Sequence, residues 1–294
     1  MKPRTLGLIL LLLTGLCWGS NWPMLQVLLR EMPPLAARSY AGMGASLLFG
    51  LGAMAFGISL SVPRALWGRL ALASLLNVTA WMGLTTVSLL WLSAAEAATI
   101  AYTMPVWAAL LAWPLLGERP ELRKVMGLLL GMGGVVMVFA GRGLELGLAK
   151  WPGMALVLVS ALLFAYGTVR AKYRPLPLHP VASVVWQVGL GCLPLFLLSL
   201  AVETVDISAL SPRAWFMLAW MMLIALGLAY ICWFGALARL PASTATIGTL
   251  LVAVVAVLST GIFLGEPLGL REWSALALTA GGVWLAVSAG PARA

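Results

Sequence analysis

The residues of this chain able to do chemistry are few, and they are polar side chains set about one turn apart inside apolar runs. Thr14, Trp18 and Asn21 recur at steps of four and three, which puts them on one face of a helix. Asn77, Trp81, Thr85 and Ser88 form a second stripe, and Thr99, Tyr102 and Thr103 gather a turn before Pro105. The second half of the chain offers Ser160, Tyr166 and Tyr230, then Thr246 with Thr249. Hydroxyls and amides can bond an ammonium or a carboxylate without imposing a fixed charge. Indole and phenol rings supply flat apolar walls and attract cations. The set suits noncovalent capture of a zwitterion with an apolar or aromatic side chain. A plainer use competes for each residue. Ser and Thr in membrane helices bond their own backbone or a neighbouring helix, and Trp collects at the interface.

Bond-breaking chemistry has no constellation here. There is no Ser/His/Asp set, no HExxH, no phosphate-binding glycine loop and no nucleotide domain. Cys17, Cys192 and Cys232 lie in apolar runs, away from the sole histidine, His179, and none forms a CxxC pair. Neither an enzyme nor a metal or other cofactor is expected.

Composition says what surrounds these residues. Hydrophobic residues make up 62% of the 294, charged residues only 9%, and mean hydropathy is +1.03. A soluble domain carries about 25% charged residues, so most of this surface meets lipid. The net charge of +9 is scattered between apolar runs, without the sustained basic stripe that nucleic acid requires. Ten such runs span Leu6–Leu28, Leu35–Phe56, Gly68–Leu90, Ala94–Leu116, Val125–Ala140, Pro152–Val169, Pro180–Ala201, Ala214–Ala238, Thr244–Leu264 and Trp273–Ser288. They do not alternate as barrel strands do, so they read as membrane helices. The first, which follows Lys2 and Arg4, reads as a retained helix rather than a cleaved leader.

Basic residues set the orientation. With the N-terminus cytoplasmic, twelve Lys and Arg fall inside and five outside, leaving out Arg38 near the outer end of the second helix. Both termini are then cytoplasmic. All nine acidic residues sit in loops or at helix ends, with Glu96 nearest the membrane. Glu118 and Glu266 read as helix caps or as partners of Arg119, Arg123 or Arg271.

The chain also repeats itself at an offset of 148. Leu92–Val136 laid on Leu240–Trp284 gives 16 identities in 45 positions without a gap. Leu116-Gly117-Glu118 falls on Leu264-Gly265-Glu266, Gly133-Gly134-Val135 on Gly281-Gly282-Val283, and Trp18-Gly19 more faintly on Tyr166-Gly167. Residues 1–145 and 146–294 thus hold five helices each. Five is odd, so the halves sit in the membrane in opposite senses, an arrangement typical of secondary transporters. Gly127, Gly131 and Gly134 map onto Ala275, Thr279 and Gly282. Small residues so spaced permit close helix approach, within one chain or across a dimer.

Ten spans in two five-helix halves, the Trp18-Gly19-Ser20-Asn21 turn, the segment from Thr103-Met104-Pro105-Val106-Trp107 to Leu116-Gly117-Glu118-Arg119, and the repeated Gly-Glu resemble the drug/metabolite transporter superfamily. The similarity is nearest to its EamA-like exporters and, among them, to YddG-type amino-acid exporters. It covers nearly the whole chain. It implies an all-α membrane protein of ten transmembrane helices, two inverted repeats around a central cavity lined by helices 1, 3, 4, 6, 8 and 9. It implies export of amino acids and related metabolites across the inner membrane. The residues expected to contact the substrate are Trp18, Asn21, Asn77, Trp81, Thr99, Tyr102, Thr103, Tyr166, Tyr230, Thr246 and Thr249. The expected partners are an amino-acid substrate and the lipid bilayer, with monomer and homodimer both open. Rival readings are a transporter of another small metabolite or drug, a channel, and a lipid-acting membrane enzyme.

Overall fold

The computed structural model describes residues 2–119, 121–140, 147–265 and 268–288. Among these residues there is no strand, and the long helices fall into ten segments. Helix α1 is Pro3–Leu28 and α2 is Pro34–Ala55. Helix α3 covers Arg64–Ser88, and α4 combines Ala94–Ala101 with Met104–Leu116. Helix α5 is Leu122–Ala140, α6 Trp151–Tyr173 and α7 Pro180–Val202. Helix α8 covers Pro212–Leu237, α9 combines Ala242–Gly248 with Leu251–Leu264, and α10 is Leu270–Ser288.

Seven of the ten (α1, α3, α4, α6, α7, α8 and α9) are long and apolar enough to cross a membrane. The other three, α2, α5 and α10, are rich in small residues, which permit close packing. Helix α2, for instance, reads PLAARSYAGMGASLLFGLGAMA.

Irregularities recur at the sequence offset of 148. Helix α3 contains a π-helical turn at Leu75–Thr79, and α8 contains one at Met221–Leu228. Helix α4 breaks between Ala101 and Met104, and α9 breaks between Gly248 and Leu251. Both α4 and α9 end on a left-handed glycine, Gly117 and Gly265, each at φ +70°. Glycine takes that conformation without steric penalty, which is why both helices stop there. Glu266 and the boundary near residue 145 lie outside the described residues.

The packing scheme follows the same offset. Helix α1 packs on α9 and α8, and α6 on their counterparts α4 and α3. Helix α2 packs on α7, and α5 on α10, each pair consisting of a helix and its own counterpart. The glycines serve this last contact. A Cβ at Gly282 would lie 2.4 Å from the Gly131 nitrogen and 2.5 Å from the Gly127 oxygen, and one at Gly134 would lie 2.2 Å from the Thr279 hydroxyl. The small-residue faces are therefore used within one chain.

Carboxylates join helix ends that are far apart in sequence. Glu118 accepts from the Ala242 and Ser243 amides at 2.7 and 3.0 Å, and from the Ser243 hydroxyl at 2.7 Å. It caps the start of α9, the capping role foreseen for it, with a distant helix as the partner. Glu203 does the same for α2, accepting from the Leu35 and Ala36 amides. Glu96 closes a capping box with Ser93 and pairs with Lys150 at 2.8 Å. In the exposed loop between α1 and α2, Glu31 accepts from the amide and hydroxyl of Ser211, both at 2.8 Å. Those bonds hold its carboxyl below the usual range.

Two outcomes follow. Gly282→Ala forces α5 and α10 apart and is expected to destabilise the protein by about 1–3 kcal/mol. Gly281→Ala, which meets nothing within 4 Å, is expected to leave the melting temperature in detergent unchanged. Equal melting temperatures for the two variants would refute the close contact. For Glu31 a lowered folded pKa means that its stabilisation is present at neutral pH and is lost as pH falls through that pKa. The Ser211 amide is expected to lose protection from hydrogen exchange as pH falls below the ordinary carboxylate range, and Glu31→Gln to abolish that acid dependence.

Candidate functional site

The centre of the bundle is built on the two π-helical turns. A π turn shifts the backbone hydrogen bonds by one residue, and such turns are frequent at functional sites. Asn77 and Ala225 occupy equivalent places in the two turns, 148 residues apart. The Trp18 indole N–H donates to the Ala225 carbonyl at 2.9 Å. The Tyr230 hydroxyl donates to the Asn77 carbonyl at 3.3 Å. The donors meet edge to face, with ring centroids 5.5 Å apart. Each half of the chain thus completes the irregular turn of the other.

Around this pair runs a continuous aromatic wall. Trp18 lies 5.8 Å from Trp233, Trp233 lies 6.3 Å from Phe164, and Phe164 lies 4.8 Å from Trp81. Phe234 adjoins Tyr230 at 6.2 Å. Trp18 and Trp81 are half-buried and border two of the apolar clusters, so their faces are where the packing loosens. Phe164 and Trp233, by contrast, are fully buried.

The remaining sequence-selected residues divide by what their polar atoms do. The Asn77 side chain donates to Gln187 at 3.1 Å and packs against Gly167, tying α3 to α7 and α6. Gln187 in turn donates to Ser183. The hydroxyls of Thr246 and Thr249 donate to carbonyls of their own helix at Ala242 and Thr246. Thr103 donates to the Ile100 carbonyl and accepts from the Trp107 indole, bridging the break in α4. Tyr102 is buried beside that break and hydrogen-bonds with Trp22, and Thr99 is half-buried one turn earlier. Tyr166 is not brought to the centre. It stands two residues from Phe164, on another face of α6, and is 39% exposed.

Asn21 behaves differently. Its amide oxygen is buried and has no hydrogen-bond partner. A buried amide left so is unfavourable, so this group stands ready for an external donor. Sequence reasoning selected Asn21 by helical spacing, but it passed over Phe164, Trp233 and Gln187. Apolar character hides the first two among many similar residues, and Gln187 lies in a helix with no other polar stripe. It also set aside Arg38, whose guanidinium makes no hydrogen bond or ion pair among the described residues and lies within electrostatic reach of Tyr230 and Cys192.

Known proteins share this fold. A solved crystal structure superposes with a TM-score of 0.83 over 96% of this chain and 97% of that one, at 18% identity, a likeness of fold. YvbV of Bacillus subtilis (strain 168), named an uncharacterized transporter, is 30% identical over 94% of this chain and 90% of its own length. YoaV from the same organism, also named an uncharacterized transporter, is 26% identical over 82% of each chain. A WAT1-related chloroplastic protein of Arabidopsis thaliana is 26% identical over 60% of this chain and 44% of its own length. Residues 5–140 and 151–288 each match the same family, so that both halves carry its pattern, and the chain belongs to the EamA-like transporter family.

Proposed function

We propose that this membrane transporter exports amino acids, aromatic or hydrophobic ones, across the inner membrane by alternating access. In this reading all ten helices cross the bilayer and residues 1–145 and 146–294 form inverted halves, with both termini cytoplasmic. The observation that carries it is the reciprocal contact of Trp18 and Tyr230 with the equivalent carbonyls of Ala225 and Asn77. Two irregular turns, one per half, face each other across an aromatic-walled centre. Interrupted helices meeting in the bundle interior are where transporters of this build hold their cargo.

The residue chemistry supports an amino acid. The half-buried Trp18 and Trp81 offer ring faces to an apolar side chain, and the Asn21 amide oxygen can take a hydrogen bond from an ammonium. Obligatory exchange of a cation for protons through a buried carboxylate fits less well. The acid nearest the interior, Glu96, is held by Ser93 and Lys150. A channel is disfavoured by the same geometry, because the aromatic contacts close the centre rather than line an open path.

Purified protein in liposomes is expected to release preloaded phenylalanine with saturable kinetics. Trp18→Phe and Tyr230→Phe keep a ring and delete one hydrogen bond. Each is expected to slow release by about tenfold, equivalent to about 1.4 kcal/mol. Flux no greater than that of empty liposomes for every amino acid would sink the proposal, and flux that never saturates would favour the channel.

A further inference from the structure

Arg38 is the feature the aromatic centre leaves unexplained. It stands four residues into α2, which begins at Pro34. At 1.5 Å per residue that is about 6 Å from the helix end. A charged side chain in such a place normally pairs or bonds a carbonyl. The guanidinium of Arg38 does neither among the described residues, although it is set within the bundle near Tyr230 and Cys192. Its side chain is only half-buried, and none of its nitrogens is among the buried atoms lacking a partner. Its donor fork is therefore left without a partner inside the bundle. Lys150 pairs with Glu96, and Lys172 donates to the Leu240 carbonyl. Arg38 has no such engagement.

A second unmet group lies at the same end of the bundle. Helix α1 ends at Leu28, seven residues beyond Asn21, and the chain turns directly into α2. Asn21 is therefore about 10 Å from that end and Arg38 about 6 Å from its own, so the two stand at similar depths. Neighbours of both groups, Met24 and Leu25 on α1 and Ala37 and Ala41 on α2, pack in one apolar cluster with Trp18 and Tyr230. Arg38 is near Tyr230, Tyr230 contacts Trp18, and Asn21 follows Trp18 on one face of α1. One group is an unpaired planar donor fork and the other an unpaired acceptor.

We propose that Arg38 and Asn21 form a head-group subsite in which the guanidinium takes the substrate's carboxylate and the Asn21 carbonyl takes its ammonium. The fork geometry of arginine matches a carboxylate bidentately, which a lysine at this place would not do. The ammonium half of the subsite rests on the amino-acid reading above. The carboxylate half stands on Arg38 alone. The bound anion neutralises the cation in its apolar surround, so cargo that carries a carboxylate is preferred to its amine.

The test uses the full-length protein in phosphatidylethanolamine and phosphatidylglycerol vesicles, with phenylalanine as cargo and 3-phenylpropionate and phenethylamine as competitors. For the unsubstituted protein 3-phenylpropionate is expected to compete better than phenethylamine. Arg38→Gln is expected to raise KM by about tenfold or more and to abolish that preference, with kcat changed less. Arg38→Lys is expected to fall between. In parallel, 3-phenylpropionate is expected to raise the melting temperature of the unsubstituted protein and of neither Arg38 variant to the same extent. Unchanged KM and unchanged competitor preference in a folded Arg38→Gln protein would overturn the subsite. Should that variant not fold, unchanged KM and preference in Arg38→Lys would do so. If no amino acid is transported at all, the proposed function fails, and the melting-temperature arm still decides the carboxylate site.

Discussion

Two hydrogen bonds exchanged between the halves are the interaction on which the centre of this protein depends. Trp18 reaches from the first half to Ala225, and Tyr230 reaches from the second half to Asn77. In an apolar bundle water does not complete a carbonyl that the helix has released. Each π turn receives, at one of its carbonyls, a donor from an aromatic side chain of the opposite half. The same two rings touch, so a displacement of either half disturbs both bonds together.

The periphery obeys a different rule. Helices α5 and α10 come closest at Gly127 and Gly282, where backbone meets backbone, and at Gly134, which packs on Thr279. Such contacts gain dispersion energy by proximity and tolerate little change in separation. The ends are held by carboxylates on helix N-termini, Glu118 on α9 and Glu203 on α2. These bonds cross between elements far apart in sequence, and they satisfy amides that a helix cannot satisfy itself. Two of the polar groups left without partners among the described residues, the Asn21 oxygen and the Arg38 guanidinium, are not at this periphery. Their neighbours pack in one cluster with the aromatic pair.

How far the sequence reveals this follows from which signals are periodic. The offset of 148 is visible in the Gly117-Glu118 and Gly265-Glu266 blocks because backbone geometry demands glycine there. Helical spacing gathers Trp18 and Asn21 onto one face, and the structure keeps them together. Spacing fails for Tyr166, because Gly167 follows it in the repeat register of Gly19 while the packed face of α6 belongs to Phe164. The π turns have no sequence signature, since neither Leu75–Thr79 nor Met221–Leu228 contains a proline, and what holds them comes from distant residues. Thr246 and Thr249 are chosen for their hydroxyls, yet a threonine in a helix readily bonds its own backbone, as both do here. Arg38 is hidden for the opposite reason. A charge near a helix end looks like an interfacial anchor until the folded chain shows that nothing pairs with it.

The proposed exchange between two access states places demands on these energies, and the two regions meet them differently. States that interconvert must lie within a few kcal/mol of each other. Net hydrogen bonds of about 0.5–1.5 kcal/mol each, such as those of Trp18 and Tyr230, can break and re-form within that limit. A glycine-lined contact cannot slide far without meeting backbone. The pairs α2 with α7 and α5 with α10 join each helix to its own counterpart, so an exchange of roles between the halves leaves those pairings unchanged. Helices α1, α3, α4, α6, α8 and α9 pair with non-equivalent partners, and these are the contacts that an exchange would alter. They are also the helices that carry the π turns, the breaks and the aromatic wall. Under the proposed exchange, rigidity and movement fall to separate sets of helices, and the groups proposed to face the cargo belong almost wholly to the second set, with Arg38 on α2 the charged exception fixed to the first.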